Sequence, residues 1–287
     1  MADQYRLVLD VGGSYIKYAV ADKNGQFLSG SMGQTPAYAE EGPDAIFAVI
    51  SSIIHTSEEQ ARLSDACVSI PGPFDYENGI SLMKHKFSKL YNQHLTTPFD
   101  QAGLPVRFVH DSTAFMLGEY YDGTLRGAKH PCCVMLGTGL GFAMMRDGRV
   151  CVDETQTPAL ALWCSPYLDG RAEDYVSTKA IRGRYDGCTD VKEIAELARV
   201  GDKHAKSAFA ETAHHLSAIL TPLLTRLDCD RFTLGGQIAK SADLLPLALP
   251  VPWHVSTRLD DAALRGADWY GRKGKDACVQ VIPKMMY

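Results

Sequence analysis

The stretch LDVGGSYIKYAV, residues 9–20, puts two glycines between an aspartate and a serine, inside what otherwise reads as two β-strands. An ordinary hairpin turn uses a glycine pair in this way. So does a site where backbone N–H groups must reach an anion with no Cβ in between. A second segment, GTGLG at residues 137–141, offers a turn of the same kind far along the chain.

Around these turns the hydrophobic pattern switches between sheet and helix. YRLVLDV and SYIKYAVAD predict two strands, and GQFLSGSM, after the Asn24-Gly25 turn, predicts a third. GPDAIFAVISSIIHTSEEQAR has helical spacing, DACVSI and VRFVH read as strands, and DSTAFMLGEYYDG opens as helices do, with Asp and Ser before an apolar face. The second half repeats that order. PCCVMLG, GFAMMRDG and RVCVDE read as strands, and DGRAEDYVSTKAIRGRY, DVKEIAELARV and DKHAKSAFAETAHHLSAILTPLLTRL as helices. RFTLGG then reads as a strand meeting a helix at QIAKSADLL, WHVST as a strand and LDDAALRGADWYGRK as a last helix. A β-β-β-α-β order met twice, each time with glycine in the first hairpin, predicts two related α/β lobes.

Composition narrows the partners. The 287 residues suffice for two domains, and a formal net charge of −5 without a Lys/Arg cluster leaves no basic face for DNA or RNA. The opening MADQYRLVLD is charged where a signal peptide is apolar, and no apolar run reaches the roughly 18 residues of a membrane span. A cytoplasmic location without membrane attachment is expected, and the eight scattered cysteines read as buried reduced thiols. No G-x-x-x-x-G-K-[ST] occurs, and GTGLGF lacks a glycine at Phe142 and runs on into a strand, so neither a P-loop nor a dinucleotide fingerprint is present.

Five segments, taken in order, resemble the repressor/ORF/kinase (ROK) sugar kinases of the actin-like ATPase superfamily. LDVGGSYIKYAV is similar to that family's first phosphate segment, VSIPGPFD to its GIPGPVD sugar loop, and VHDSTAFMLGE to its NDANAAALGE catalytic segment. VMLGTGLGFAMMRDGRV resembles the second phosphate segment and FTLGGQI the adenosine segment. The resemblance implies an α/β fold of two actin-like (ribonuclease H-like) lobes with an interlobe active-site cleft. A sugar and phosphate lobe would cover residues 1–112 and a nucleotide-binding lobe 113–287, with the last helix, about 260–272, packing back on the first lobe. It also implies an ATP- and Mg²⁺-dependent, glucokinase-like transfer of phosphate to a primary sugar hydroxyl, in a family where homodimers are frequent.

The roles carried over can be checked against chemistry. Asp111 would be the general base, and its place before STAF suits a helix N-cap equally. Asp10 would hold Mg²⁺, or else simply stabilise a strand-end turn. Gly12, Gly13 and Ser14, with Gly137, Thr138 and Gly139, would donate to phosphates; Gly235 and Gly236 would admit the adenosine, and Pro71 and Gly72 would shape the sugar loop. Lys17, three residues beyond Ser14, would face away from it as a structural or sugar-lobe lysine rather than a phosphate clamp.

The departures fall at the sugar end. The usual Asn before the catalytic Asp is His110, an imidazole with one donor and one acceptor when neutral. No E-x-G-H segment occurs within residues 154–167, and the structural zinc motif is missing, with only Cys164 nearby, so no zinc is expected. GRAEDYVS aligns Glu173 with the family's sugar-binding glutamate, against the alternative of a salt-bridged surface residue. His85, within LMKHKFSKLY, is the candidate contact from the sugar loop. Trp163 reads as a core residue before a sugar-stacking one. The rival reading is a sugar or nucleotide sensor of the same fold without catalysis. A DNA-binding repressor is disfavoured, because the first strand begins by residue 5 with no helix-turn-helix ahead of it.

Overall fold

The computed structural model describes residues 4–84, 87–187 and 190–287; the candidate sugar contact His85 lies outside the described residues. In chain order the elements are β1 (Tyr5–Val11), β2 (Tyr15–Ala21), β3 (Gly33–Pro36), α1 (Pro43–Gln60), β4 (Leu63–Ile70), β5 (Phe74–Asp75), β6 (Ile80–Ser81), α2 (Thr97–Gln101), β7 (Val106–His110) and α3 (Asp111–Asp122). There follow β8 (Pro131–Leu136), β9 (Leu140–Arg146), β10 (Arg149–Val152), β11 (Pro166–Tyr167), β12 (Gly170–Arg171), α4 (Ala172–Val176), α5 (Thr178–Gly183), α6 (Val191–Arg199) and α7 (Lys203–Arg226). The chain closes with β13 (Arg231–Gly235), β14 (Trp253–Val255), α8 (Ala262–Lys273), α9 (Lys275–Cys278) and β15 (Val279–Val281). No described helix is long and apolar enough to cross a membrane.

Two compact units result. The first comprises Met1–Gly118, Val152–Thr157 and Asp261–Ile282; the second comprises Glu119–Cys151, Pro158–Asp260 and Pro283–Tyr287. In the first, the strands run β3-β2-β1-β4-β7, antiparallel from β3 to β1 and parallel from β1 to β7. In the second, β10-β9-β8-β13-β14 follows the same scheme, antiparallel on one side of β8 and parallel on the other. Each sheet therefore carries its glycine-rich turn between its central strand and the antiparallel neighbour.

Parallel strands covered on both faces are apolar throughout, and β4 ends in five consecutive buried residues. Ile46, Ile50, Ile53 and Ile54 recur at helical spacing along α1 and join Leu7, Leu9, Val68 and Ile70 in one core. Helix α8 lies against β1 and β4. Its buried Asp268 pairs with Arg6 of β1 at 3.3 Å and with Arg272 at 2.7 Å. Burial pushes that carboxyl up, and the two arginines oppose the shift.

Helices α3 and α8 meet backbone to backbone. A Cβ on Gly266 would stand 1.7 Å from the Ala114 carbonyl oxygen, and one on Gly118 would stand 2.0 Å from that of Ala262. Both clashes are with main chain, which cannot swing aside. Gly266→Ala is expected to destabilise the protein by about 2–4 kcal/mol despite alanine's better helix propensity. A urea midpoint equal to or above that of the wild type would contradict this.

Three sequence expectations need correction. The third strand is Gly33–Pro36 rather than 25–32. The segment meets β2 only through an isolated Ala21–Phe27 bridge and the Leu28 N–H to Val20 carbonyl bond, while the Asp22 carboxylate takes the N–H groups of Asn24 and Gln26 and the Ser31 hydroxyl, not its backbone, accepts the Val20 N–H. The helix expected across 169–185 breaks at Ser177, whose extended backbone begins α5 anew. QIAKSADL forms a 3₁₀ segment with a non-helical Ser241 instead of an α-helix. The Asp147-Gly148 turn is as read, with φ of 51° and 73°, both positive as a tight hairpin requires. Six of the seven described cysteines are buried, and Cys164 is exposed.

Candidate active site

Asp10 stands one residue from the end of β1, with Lys17 opposite it on β2 and Ser69 opposite it on β4. The Ser69 hydroxyl donates to Asp10 Oδ1 at 2.9 Å. Burial raises the Asp10 carboxyl to about 6; the Ser69 hydrogen bond works against that shift, the charge of Asp111 adds to it, and Lys17 draws it down. Ser69 was not singled out from the sequence, although it occupies the glycine position of the GIPGPVD loop.

The turn beyond Asp10 is closed by the Gly12 N–H, which donates to the Tyr15 carbonyl at 2.9 Å. Gly13 and Ser14 are exposed, and their N–H groups make no hydrogen bond within the described residues. Neither Gly12 nor Gly13 has positive φ. A Cβ at Gly13 would meet nothing within 4 Å, so the protein itself does not require a glycine there. The open space is what a phosphate lying against the backbone would need.

The second turn has the same economy. Gly137 donates to the Gly139 carbonyl at 3.1 Å and accepts from the Thr178 N–H at 2.8 Å, and the N–H groups of Thr138 and Gly139 make no hydrogen bond within the described residues. Glu173 Oε2, on α4, accepts the Leu140 N–H at 2.8 Å, so this side chain braces the turn from behind. A Cβ at Gly137 would also meet open space. Gly236 differs: it has φ of 84°, and a Cβ would stand 2.2 Å from the Leu136 carbonyl oxygen, so packing alone demands glycine. Gly235, beside it, is the buried last residue of β13.

Asp111 begins α3 directly after β7, beside the Pro71-Gly72 loop that follows β4. Its Oδ1 accepts the Ser112 N–H at 2.6 Å and the Ser112 hydroxyl at 3.2 Å, and it lies 2.9 Å from His110 Nδ1. Asp111 is the first residue of α3, and its carboxylate bonds the next residue rather than the second or third N–H beyond it, so it does not have the N-cap geometry also read from the sequence. Tyr76 packs on His110 with ring centroids 5.9 Å apart, and its hydroxyl bonds the Ile70 carbonyl, which fixes the loop floor.

Asp10, Ser14, Gly72, His110 and Asp111 all belong to the first unit; Thr138, Glu173 and Gly236 belong to the second. Trp163 is 44% exposed, with Arg171 over its ring at 5.9 Å, and is not the core residue expected. Among the described residues no group of three His, Cys, Asp or Glu side chains is placed to hold a metal. A lone carboxylate such as Asp10 still suits Mg²⁺, which takes few protein ligands beside phosphate oxygens and water.

A sheet scheme repeated in two units, each with a glycine turn off its central strand, and a carboxylate at the β7–α3 junction define a particular class of α/β protein. The model of the ROK family matches residues 6–264, and the chain belongs to that family. A glucokinase of Thermotoga maritima is 28% identical over 269 residues, covering 83% of either chain. The DNA-binding transcriptional repressor Mlc of Escherichia coli is 22% identical over 215 residues, 67% of this chain and 53% of the repressor. Among solved structures, a ROK family glucokinase from Streptomyces griseus in complex with glucose and AMPPNP matches with a TM-score of 0.74 and 22% identity, over 94% of this chain and 100% of that one. That likeness establishes the fold.

Proposed function

We propose that the protein is an ATP- and Mg²⁺-dependent kinase that phosphorylates a hexose or closely related sugar at a primary hydroxyl. The observation that carries this reading is the Asp111 carboxylate, held by Ser112 beside His110 and the Pro71-Gly72 loop, in the same unit as Asp10 and its open glycine turn. Kinship with glucokinases supports it.

In this reading Asp111 removes the proton from the sugar hydroxyl as that oxygen bonds the γ-phosphorus and the bond to the bridging oxygen breaks, releasing ADP. The N–H groups of Gly13, Ser14, Thr138 and Gly139 are assigned to phosphate oxygens, with Gly12 and Gly137 closing the two turns. Gly235 and Gly236 flank the adenosine, and His110, Pro71 and Gly72 serve the sugar. Bound through Asp10, Mg²⁺ would neutralise phosphate charge. Glu173 is assigned to the turn it braces as well as to the sugar.

The test is a panel of hexoses, N-acyl amino sugars and their analogues with ATP and Mg²⁺, read as ADP formed and as sugar phosphate by mass. Turnover of at least one sugar is expected. Binding of sugar or ATP without turnover on any member would favour the sensor reading instead.

A further inference from the structure

We infer that Ser69 is a positioning residue for Asp10: by holding Oδ1 it leaves Oδ2 as the oxygen offered to a divalent cation, directly or through water. This rests on the ATP- and Mg²⁺-dependent reading of the site. Strands β1 and β4 are parallel neighbours, and their register sets Ser69 beside Asp10. Ser69 is fully buried, so its hydroxyl needs an acceptor within the protein. Among the described residues that acceptor is Asp10 Oδ1, at 2.9 Å. Cut off from water and with one acceptor at hand, the hydroxyl has its direction decided.

The two oxygens of Asp10 are thereby unequal. Oδ2 makes no hydrogen bond among the described residues. The described polar side-chain atoms that are sealed from solvent without a partner are Ser81 Oγ and Thr113 Oγ1, so Oδ2 keeps an opening to solvent. An untethered carboxylate turns about its Cβ–Cγ bond and offers either oxygen. One tethered at Oδ1 has its plane set before a cation arrives, as hydrogen bonds to ligating carboxylates do elsewhere. Both residues stand on strands of the sheet rather than on loops, which keeps the pair in place. The GIPGPVD loop has glycine where Ser69 stands, so the hydroxyl belongs to this chain's own version of the segment, VSIPGPFD.

The test reads nucleotide binding rather than turnover. The Kd of AMPPNP, a non-hydrolysable ATP analogue, is measured by calorimetry with and without Mg²⁺, and the ratio of the two values is the gain due to the cation. Ser69→Ala should lose roughly tenfold of the wild type's gain, with the Mg²⁺-free Kd within twofold of the wild type's. Ser69→Gly, which installs the residue of the resembled loop, should behave in the same way. In an Asp10→Asn background Ser69→Ala should cost nothing further, because its effect runs through that carboxylate. With the best sugar of the panel, the Mg²⁺ concentration for half-maximal turnover by Ser69→Ala should rise by the same factor. A gain equal to the wild type's in both variants, a loss that is as large without Mg²⁺, or a further loss in the Asp10→Asn background overturns the inference and leaves the kinase reading standing. A wild type that binds no AMPPNP with or without Mg²⁺ overturns the kinase reading and this inference with it.

Discussion

Asp111→Asn is expected to lower kcat by about 10²- to 10⁴-fold, the range a positioned general base contributes, with KM for ATP unchanged. The substitution is informative because it is nearly silent structurally. The amide oxygen can still accept the Ser112 N–H that the carboxylate holds at 2.6 Å. Helix start and loop are thereby kept, and only the capacity to take a proton is lost. Initial rates on the best sugar of the panel give the answer, with thermal melting as the control for folding. A variant turning over sugar within twofold of the wild type would remove Asp111 from the chemistry and leave it as the first residue of α3.

Asp10→Asn should move stability and activity in opposite directions. The carboxyl is raised from 3.8 to about 6, chiefly by burial, so the folded protein holds this proton more tightly than the unfolded chain does. Its contribution to stability is complete below pH 3.8 and is lost as pH rises through about 6. At pH 8 the ionised group thus costs the ligand-free protein up to about 3 kcal/mol, and asparagine, which can still accept from Ser69, relieves about 1–3 kcal/mol of that. Urea midpoints should show the variant more stable at pH 8, with the difference vanishing near pH 3.5. Mg²⁺ with ATP should then raise the wild type's midpoint more than the variant's, and phosphorylation by the variant should fall at least 100-fold at low Mg²⁺. A variant less stable than the wild type at pH 8 would show that the buried charge is compensated.

What could be read from the sequence was whatever is decided locally. Glycine pairs mark turns because a missing Cβ is a property of the residue itself, and the Asp147-Gly148 hairpin and the strand-to-helix junction at Asp111 follow from the same short-range rules. Registers were out of reach. Ser69 meets Asp10 across 59 residues, and Glu173 meets Leu140 across 33. No periodicity tells which residue of β4 will lie opposite a given residue of β1. The displaced third strand failed for the reverse reason. The Asp22 carboxylate and the Ser31 hydroxyl took backbone N–H groups that a continuous ladder would use, and propensity gives no weight to such side-chain rivals. Glu119 shows the same blindness. It reads as one more polar residue of α3, yet it is fully buried and takes hydrogen bonds from Thr124 and Ser256.

The glycine crossing of α3 and α8 bears on how the chain is made. Residues 261–282 complete a unit whose sheet is assembled from residues near the N-terminus, while most of the second unit is one continuous run from Pro158 to Asp260. During synthesis the first sheet must leave the ribosome with the face that α8 covers still bare, and Gly118 must wait for the residues that fill its groove. The usual vectorial order, in which the earlier domain is finished before the later one is begun, is therefore lost, and both units are completed only by the last segments of the chain. The half bearing Asp10 and Asp111 becomes whole only after most of the half bearing Gly137 has been translated. A nascent chain stalled before residue 261 would present the candidate catalytic carboxylate on an unfinished scaffold, a ready substrate for chaperones before it is one for catalysis.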